Sequence, residues 1–125
     1  MQLRCIECGA VLDPRSTATR CECGGLLEVE LEPKPVSREL FDERLGVIDH
    51  PLRSGVWRFR ELMPDFPDHV IVSKPEGNTN LYHDQRLNDL VGTEVWFKHE
   101  GENPTGSFKD RGMTAGISHA RWTEA

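Results

Sequence analysis

The sequence predicts an α/β fold in which a small cysteine-rich module precedes part of a larger α/β domain. Three observations support this prediction. All four cysteines lie within the first 23 residues, a proline-rich segment begins near residue 32, and a β-prone stretch, a Gly/Asn/Pro-rich turn and a helix-prone stretch succeed one another from residue 94 to about 121. We therefore expect a module at residues 1–31, a linker with short helices at 32–69, and the start of the α/β domain at 70–125.

The first element is a zinc-ribbon-like cysteine module. Its cysteines form two pairs, Cys5-x2-Cys8 and Cys21-x-Cys23, and glycine follows each pair. Two such turns let backbone N–H groups approach thiolate sulfurs, and four thiolates make a closed tetrahedral site for a structural zinc ion. The second pair has one intervening residue where two are more common. We expect short strands around Gln2 to Arg4 and Leu26 to Leu31.

Two other interpretations of the cysteines stay open. Disulfides would suit a short secreted chain, but residues 1–15 hold charges and two cysteines where a signal peptide needs an apolar core. The other interpretation is a ribbon that folds without metal on apolar contacts among Leu3, Val11, Leu26 and Val29. A redox role is disfavoured because a catalytic Cys-x-x-Cys usually opens a helix in a βαβ unit.

The linker is predicted to contain two short helices. Residues 32–35, Glu-Pro-Lys-Pro, should be extended and stiff because each proline biases its predecessor away from helix. Ser37 can cap a helix over residues 38–45, and Ser54 can cap a second one over residues 55–63. Trp57, Phe59 and Leu62 in the second helix are expected to be core or docking residues, and Trp57 is not expected to contact a ligand.

The α/β domain should open with a short strand at residues 70–72. The stretch 81–90 fits a strand or a helix. Residues 94–98 are β-friendly, a turn rich in glycine, asparagine and proline follows, and residues 107–121 can be helical. Lys109 then falls in the first turn of that helix.

That position suits a lysine that holds an aldehyde cofactor covalently. The positive end of the helix dipole disfavours a protonated amine, and we expect partial burial of Lys109 to act in the same direction. A neutral amine attacks an aldehyde, whereas an ammonium group cannot. The alternative, correct for most lysines, is an ordinary surface side chain.

Residues 103–112, Asn-Pro-Thr-Gly-Ser-Phe-Lys-Asp-Arg-Gly, resemble the lysine segment of the tryptophan-synthase-β-like, fold type II family of pyridoxal phosphate enzymes, and within it the threonine synthase group. The resemblance implies that Lys109 carries pyridoxal 5′-phosphate and shuttles protons, and that Phe108 packs near the cofactor ring. Residues 76–80, Glu-Gly-Asn-Thr-Asn, resemble the family's stretch near the substrate entrance, with Asn80 in place of the usual proline. Several threonine synthases resemble this chain in carrying a cysteine-paired ribbon ahead of the catalytic domain.

In full, the resemblance implies an α/β chain with an N-terminal zinc-ribbon-like module followed by the incomplete start of a fold type II pyridoxal phosphate enzyme domain. It implies that the longer parent converts O-phospho-L-homoserine and water to L-threonine and phosphate. The cofactor's phosphate loop lies further along the chain than Lys109 in that family, so we expect the isolated 125 residues to be inactive. Two alternatives stay open: another enzyme of the same fold, such as cysteate synthase or a serine/threonine dehydratase, or an inactive truncated remnant with a zinc-binding module.

Two accounts of the polar residues before the lysine also stay open. Asn103, Thr105 and Ser107 offer an amide and two hydroxyls that can help bind the phosphate of the substrate. In the alternative account, Asn103 holds the turn and Thr105 or Ser107 caps the helix without touching substrate. Of the five histidines, His99 is the one candidate for lining the site, because it directly precedes the turn that leads to the lysine.

The composition agrees with a soluble protein and discriminates little beyond that. Acidic residues outnumber basic ones by 21 to 15, for a net charge of −6, which disfavours nonspecific nucleic-acid binding. No run of about 18 apolar residues is present, so we expect no membrane partner. We expect a cytoplasmic protein that acts on a small amino-acid substrate, with a parent that forms homo-oligomers.

Overall fold

Two small antiparallel sheets and three α-helices organise the part of the chain that the structure describes, residues 1–32 and 34–125. The elements of this computed structural model are the strands β1 (Gln2–Cys5), β2 (Val11–Leu12), β3 (Leu27–Glu30), β4 (Leu81–His83) and β5 (Trp96–Lys98), and the helices α1 (Arg38–Glu43), α2 (Gln85–Val91) and α3 (Asp110–Thr123). Short 3₁₀ helices cover Trp57–Leu62, Asp68–Val70 and Glu100–Glu102. The extended conformation predicted for Pro33 lies outside the described residues.

β1 is the central strand of the first sheet, whose order is β2–β1–β3. Both neighbours run antiparallel to it, and Leu3 lies opposite Leu12 on one side and Val29 on the other. Leu3 and Cys5 are buried and alternate with less buried neighbours, because successive side chains of a strand point to opposite faces. Strands are thus present where the sequence predicts them at the two ends of the cysteine module.

The interior of this module is made of sulfur more than of aliphatic side chains. Val11, Leu26 and Val29 are 52%, 52% and 49% exposed, whereas Cys5 is 1% exposed. Cys21 is buried as well. A ribbon that folds on apolar contacts alone is therefore disfavoured, because these aliphatic side chains do not form a shared buried core.

Ser37 caps the first linker helix, as predicted, whereas the N-cap position of the second helix is Val56 and Ser54 lies two residues before it. Ser37 Oγ accepts a hydrogen bond from the Leu40 amide at 3.4 Å, and α1 is two residues shorter than predicted. Ser54 Oγ accepts hydrogen bonds from the amides of Val56 at 3.0 Å and Trp57 at 3.2 Å. The helix that follows is a 3₁₀ helix and starts at Trp57, two residues later than predicted.

The main core includes residues of the linker, and half of its buried side chains are aromatic. It is a cluster of the buried side chains Trp57, Phe66, Val70 and Ile71. Trp122, near the end of α3, packs against this cluster, and its ring centroid lies 5.5 Å from that of Phe66. The cluster therefore joins the linker to the last helix of the chain.

The prediction of a strand at residues 70–72 is wrong, and α3 supplies the reason. The Val72 amide donates a hydrogen bond to Ser118 Oγ at 2.9 Å, and Thr114 Oγ1 donates to the Val72 carbonyl at 2.6 Å. Both backbone polar groups of Val72 are thus satisfied without a neighbouring strand. Thr114 also accepts a hydrogen bond from Trp57 Nε1 at 2.7 Å, so a buried polar face fixes α3 to the core.

The second sheet consists of β4 and β5, which pair antiparallel with Leu81 opposite Lys98. Residues 81–90 contain both a strand and a helix: β4 comes first, and Asp84 then caps α2. Gly92 ends α2 in the left-handed region, with φ of 74°. β5 then delivers the chain into the loop that carries the lysine of interest.

α3 begins later than predicted. The sequence predicts a start at Ser107, whereas residues 107–109 form a turn and the helix begins at Asp110. The helix extends to Thr123, two residues beyond its predicted end. No helix in the described ranges is both long enough and apolar enough to cross a lipid bilayer.

Candidate active site and candidate metal centre

The loop between β5 and α3, residues 99–109, is here called the lysine loop. One 3₁₀ turn opens it at Glu100–Glu102. Gly106 has φ of +73°, a left-handed conformation that glycine adopts without steric penalty, and its amide donates to the Asn103 carbonyl at 2.8 Å. This tight turn reverses the chain and brings it to the start of α3.

Lys109 occupies the residue just before α3 and already has helical backbone angles, φ −62° and ψ −23°. Its carbonyl accepts hydrogen bonds from the amides of Gly112 and Met113. Its side chain is exposed, so the predicted partial burial is not observed within the described residues. No hydrogen bond or ion pair joins its amine to another described residue; Nζ lies 5.7 Å from the ring centroid of Phe108, which is itself 64% exposed.

Thr105 and Asp110 connect the loop to the helix. The Thr105 amide donates to Asp110 Oδ2 at 2.8 Å, and Thr105 Oγ1 donates to Asp110 Oδ1 at 2.6 Å. Ser107 Oγ accepts from the Lys109 amide at 3.2 Å. The two hydroxyls therefore differ: that of Thr105 is already donated to a carboxylate, whereas that of Ser107 donates to no described group.

Asn103 ties the lysine loop to residues 76–80. Its side chain is 4% exposed, its Oδ1 accepts from the Gly77 amide at 2.9 Å, and its Nδ2 donates to the Glu100 carbonyl at 2.8 Å and to Glu100 Oε2 at 2.9 Å. All these contacts are structural. They favour the account in which Asn103 holds the turn.

Glu100 and Arg111 form a two-pronged ion pair across the lysine loop. Arg111 Nε lies 2.7 Å from Glu100 Oε2, and Arg111 Nη2 lies 2.8 Å from Glu100 Oε1. Thr79 Oγ1 donates to Glu100 Oε1 at 3.0 Å. The hydrogen bonds from Arg111, followed by those from Asn103 and Thr79, lower the pKa of Glu100 to about 2 in spite of its partial desolvation.

Glu102 provides a second carboxylate contact to residues 76–80 and to β4. It accepts hydrogen bonds from Tyr82 Oη at 2.5 Å and from the Asn80 amide at 2.6 Å. These bonds lower the pKa of Glu102 to about 2, and the same carboxylate raises the pKa of Tyr82. His99 lies next to this group, with its ring centroid 6.0 Å from that of Tyr82.

Residues 76–80 approach the linker so closely that two glycines are required. A Cβ on Gly55 would lie 2.0 Å from the Asn78 amide nitrogen, and one on Gly77 would lie 2.8 Å from the Gly55 Cα. The buried carboxylate of Glu76 accepts a hydrogen bond from Ser54 Oγ at 2.5 Å in the same region. The segment that precedes β4 is thus held on one side by the linker and on the other by the lysine loop.

An apolar groove of about 190 Å³ runs beside the lysine loop. Val72, Met113 and Ile117 form its apolar wall, and Lys74 stands at its rim. It is smaller than the roughly 300 Å³ of a usual small-molecule pocket, so it does not by itself enclose a ligand of cofactor size.

The four cysteines converge on one point, as the spacing predicts. All four Sγ atoms lie within 4.8 Å of one another, with Cys5 3.5 Å from Cys23 and Cys8 3.6 Å from Cys21. Four sulfurs that each stand about 2.3 Å from one zinc ion are about 3.8 Å apart in a tetrahedron. The donor set and its spacing therefore fit a tetrahedral zinc ion.

The glycines after each pair shape this cluster. Gly9 and Gly24 have φ of 73° and 90°, and their amides donate to the carbonyls of Cys5 and Cys21. A Cβ on Gly25 would lie 2.7 Å from Cys5 Sγ, so glycine is required there. The two tight turns let both halves of the cluster approach each other.

The electrostatics of the cluster favour a thiolate at Cys5. The backbone amide of Cys8, assisted by that of Glu7, lowers the pKa of Cys5 to about 6. The Gly25 amide acts in the same direction on Cys23, but the neighbouring thiols raise the pKa of Cys23 to about 12.

Sequence reasoning missed Arg111, Thr79 and Asp110 as organisers of the lysine loop. Asp110 accepts two hydrogen bonds from Thr105 and so ties the loop to the helix. The sequence signal that could have identified Arg111 is its position two residues after Lys109, in the first turn of α3. Its carboxylate partner lies 11 residues earlier, across a turn.

Comparison of the sequence with known proteins gives a family match and several relatives. The family model described as pyridoxal-phosphate dependent enzyme matches residues 72–124. The chain is 42% identical to threonine synthase of Methanocaldococcus jannaschii over 121 residues. This aligned region covers 96% of this chain and 29% of that protein. It is 39% identical to threonine synthase of Methanosarcina acetivorans (94% of this chain, 28% of that protein) and 38% identical to threonine synthase 2, chloroplastic, of Arabidopsis thaliana (79% and 21%). The chain therefore spans less than a third of the length of these relatives.

Proposed function

Residues 72–124 belong to the pyridoxal-phosphate dependent enzyme family, and on that premise we propose that this chain is the lysine-bearing part of a threonine synthase. The proposed reaction of the whole enzyme converts O-phospho-L-homoserine and water to L-threonine and phosphate. One observation carries the proposal: within the family match, the Lys109 amine is solvent-accessible and unpaired among the described residues, at the start of a 14-residue helix.

The residues around Lys109 fit the aldehyde end of pyridoxal 5′-phosphate. A free primary amine forms a covalent bond with an aldehyde, and the exposed phenyl ring of Phe108 beside it offers a surface for a flat heteroaromatic ring. When bound, the cofactor supplies an electron sink that stabilises negative charge on the substrate carbon chain. The fit covers one wall of a site, consistent with the small volume of the neighbouring groove.

In this proposal Lys109 has two roles. Its Nζ holds the cofactor before substrate arrives, and the freed amine then takes protons from the substrate carbon chain and returns them as a general base and acid. The lysine loop keeps the backbone of Lys109 in place through the bonds of Thr105 to Asp110 and of Glu100 to Arg111. Those contacts fix both ends of the loop and the first turn of α3.

Ser107 is the polar residue that we retain as a substrate contact. Its hydroxyl accepts from the Lys109 amide and keeps its own proton free for an acceptor such as a phosphate oxygen. Asn103 and Thr105 act instead through structure, because their side chains already bond to Gly77, Glu100 and Asp110. Phosphate release by a protein that contains this chain, with Ser107→Ala, tests the role: unchanged turnover and saturation remove Ser107 from the substrate contacts.

The decisive experiment is reduction of the 125-residue chain with borohydride in the presence of pyridoxal phosphate, followed by peptide mapping. We expect the reduced pyridoxyl group on Lys109 Nζ, and its loss in Lys109→Ala. Lys74→Ala is the matched control, because Lys74 is also exposed and its amine also bonds to no described residue. Equal labelling of Lys74 and Lys109, or label elsewhere alone, contradicts the assignment.

Substrate choice is tested separately. Of the alternatives of the same fold, a cysteate synthase would release phosphate from O-phospho-L-serine, whereas a serine/threonine dehydratase would release phosphate from neither compound. We expect the longer protein to prefer O-phospho-L-homoserine, in keeping with its threonine synthase relatives. We expect the 125 residues alone to be inactive, because they supply one wall of the site.

We further propose that Cys5, Cys8, Cys21 and Cys23 bind one structural zinc ion, which makes residues 1–31 a zinc-ribbon-like module. The sulfur spacing, within 4.8 Å for every pair, supports this assignment. Metal content of the purified chain, measured by mass spectrometry under native conditions, tests it. One zinc per chain is expected, and loss of that zinc is expected when Cys8 and Cys23, the two exposed cysteines, are replaced by serine.

A further inference from the structure

The segment between the two cysteine pairs contacts the far end of the lysine helix. In this segment, residues 13–20, the Pro14 carbonyl accepts a hydrogen bond from His119 Nε2 at 2.8 Å. Arg15 Nη2 donates to the Trp122 carbonyl at 3.3 Å, and its guanidinium lies 5.7 Å from the Trp122 ring centroid. These two contacts join residues that are separated by 105 and 107 positions in the chain, and both lie at the end of α3.

Arg15 satisfies a chemical need of that helix end. The last four carbonyls of an α-helix have no partner within the helix, and the C-terminal end carries partial negative charge. Arg15 brings both a hydrogen-bond donor and a positive charge to the Trp122 carbonyl. It acts as a cap that a distant part of the chain provides.

α3 depends on such contacts. It has 14 residues, close to the length of about 12–15 below which an isolated helix is marginal in water. Gly112 and Gly116 lower its intrinsic helix propensity further. Because helix formation is cooperative, order at the capped end supports order at the other end, where Lys109 lies.

The position of residues 13–20 depends in turn on the cysteine cluster. At one end they join β2, which has two residues, and at the other end they join Cys21. The buried apolar side chains within residues 1–32 are Leu3, Cys5 and Cys21. A module with so few buried side chains gains most of its order from metal ligation.

We propose that Arg15 is a positioning residue through which the metal-loaded cysteine module caps α3, so that metal binding orders the helix that begins beside Lys109. The proposal rests on the zinc assignment made above. The contact itself requires no cofactor and no substrate.

Hydrogen exchange of backbone amides in the 125-residue chain tests this coupling. Exchange at residues 116–122 is measured by mass spectrometry for the zinc-loaded chain and for the chain treated with a chelator. We expect zinc to slow exchange in these amides by roughly fivefold. In Arg15→Ala we expect the same zinc content but a zinc effect below about twofold, because the cap is absent.

Two further variants separate capping from general damage to the module. Arg15→Lys keeps the charge and a donor, so it should recover part of the zinc effect. Arg20→Ala is the matched control: Arg20 lies in the same segment and donates to the Gly24 carbonyl at 3.0 Å, inside the module. It should retain the full effect of zinc on α3.

The proposal is overturned if zinc leaves exchange at residues 116–122 unchanged, if Arg15→Ala responds to zinc as strongly as the unaltered chain, or if the chain retains no zinc. These outcomes are independent of the borohydride experiment. A chain that shows the zinc effect but forms no adduct at Lys109 removes the lysine assignment and leaves the coupling intact.

Discussion

The carboxylate of Glu100 and the guanidinium of Arg111 face each other across the lysine loop, with two hydrogen bonds of 2.7 and 2.8 Å. These bonds lead the interactions that hold the pKa of Glu100 at about 2, below the 4.5 of a free glutamate side chain. The ion pair thus joins the start of the loop to the first turn of α3.

Acid should therefore weaken the fold through Glu100. A carboxyl group whose pKa is lower in the folded state contributes stability above its unfolded pKa and loses it as the pH falls toward the folded value. We expect the urea midpoint of the unaltered chain to fall between pH 4.5 and about 2, and to fall less in Glu100→Gln. Glu28→Gln, at an exposed carboxylate without a side-chain hydrogen bond to a described residue, should follow the unaltered chain; identical pH profiles for all three proteins would contradict the prediction.

Trp57→Phe should destabilise the chain by about 2 kcal/mol, because it removes buried volume and the hydrogen bond from Nε1 to Thr114. Trp57 is 1% exposed, whereas Trp96 is 52% exposed. Trp96→Phe should therefore change the free energy of unfolding by no more than about 0.5 kcal/mol. Urea denaturation followed by circular dichroism measures both, and equal effects would refute the assignment of Trp57 to the core.

Gly55→Ala should destabilise the chain by about 3 kcal/mol, because its Cβ would overlap the backbone of residues 77 and 78. Gly116→Ala provides the opposite case. A Cβ there meets nothing within 4 Å, and alanine favours a helix interior by about 0.5–1 kcal/mol. Thermal unfolding should show a lower midpoint for the first variant and a higher one for the second; a tolerated alanine at position 55 would show that the two segments are not in contact.

Thr105→Ala should lower the free energy of unfolding by about 1 kcal/mol, since it removes the hydroxyl that donates to Asp110 at the start of α3. Thr105→Ser keeps this hydroxyl and should stay close to the unaltered chain. Chemical denaturation of the three proteins gives the comparison. If both variants are as stable as the unaltered chain, the hydroxyl of Thr105 is free for another role, including contact with substrate.

Local patterns in the sequence were sufficient for the cysteine cluster, for the Ser37 cap and for the order of strand, turn and helix around Lys109. Each of these features depends on residues that are close together in the chain. Ser37, for example, caps α1 through an amide three positions away, and Ser54 accepts hydrogen bonds from amides two and three positions away. Short-range chemistry of this kind can be inferred from spacing alone.

The wrong strand prediction and the contacts that the sequence did not predict share a different cause. Val72 was expected in a strand, but its hydrogen-bond partners are the side chains of Thr114 and Ser118, 42 and 46 residues later. Asn103 accepts a hydrogen bond from Gly77, which lies 26 positions earlier in the chain. Arg15 donates one to Trp122, which lies 107 positions later. Contacts between distant residues depend on how the elements pack, and periodicity does not encode that packing.

The open position of Lys109 makes this amine a chemical reporter. An acylating reagent reaches an uncovered primary amine from solvent and is blocked once another molecule lies over it. The rate of acylation at Lys109, compared with that at Lys74, would therefore measure how well any added ligand or polypeptide shields the lysine loop.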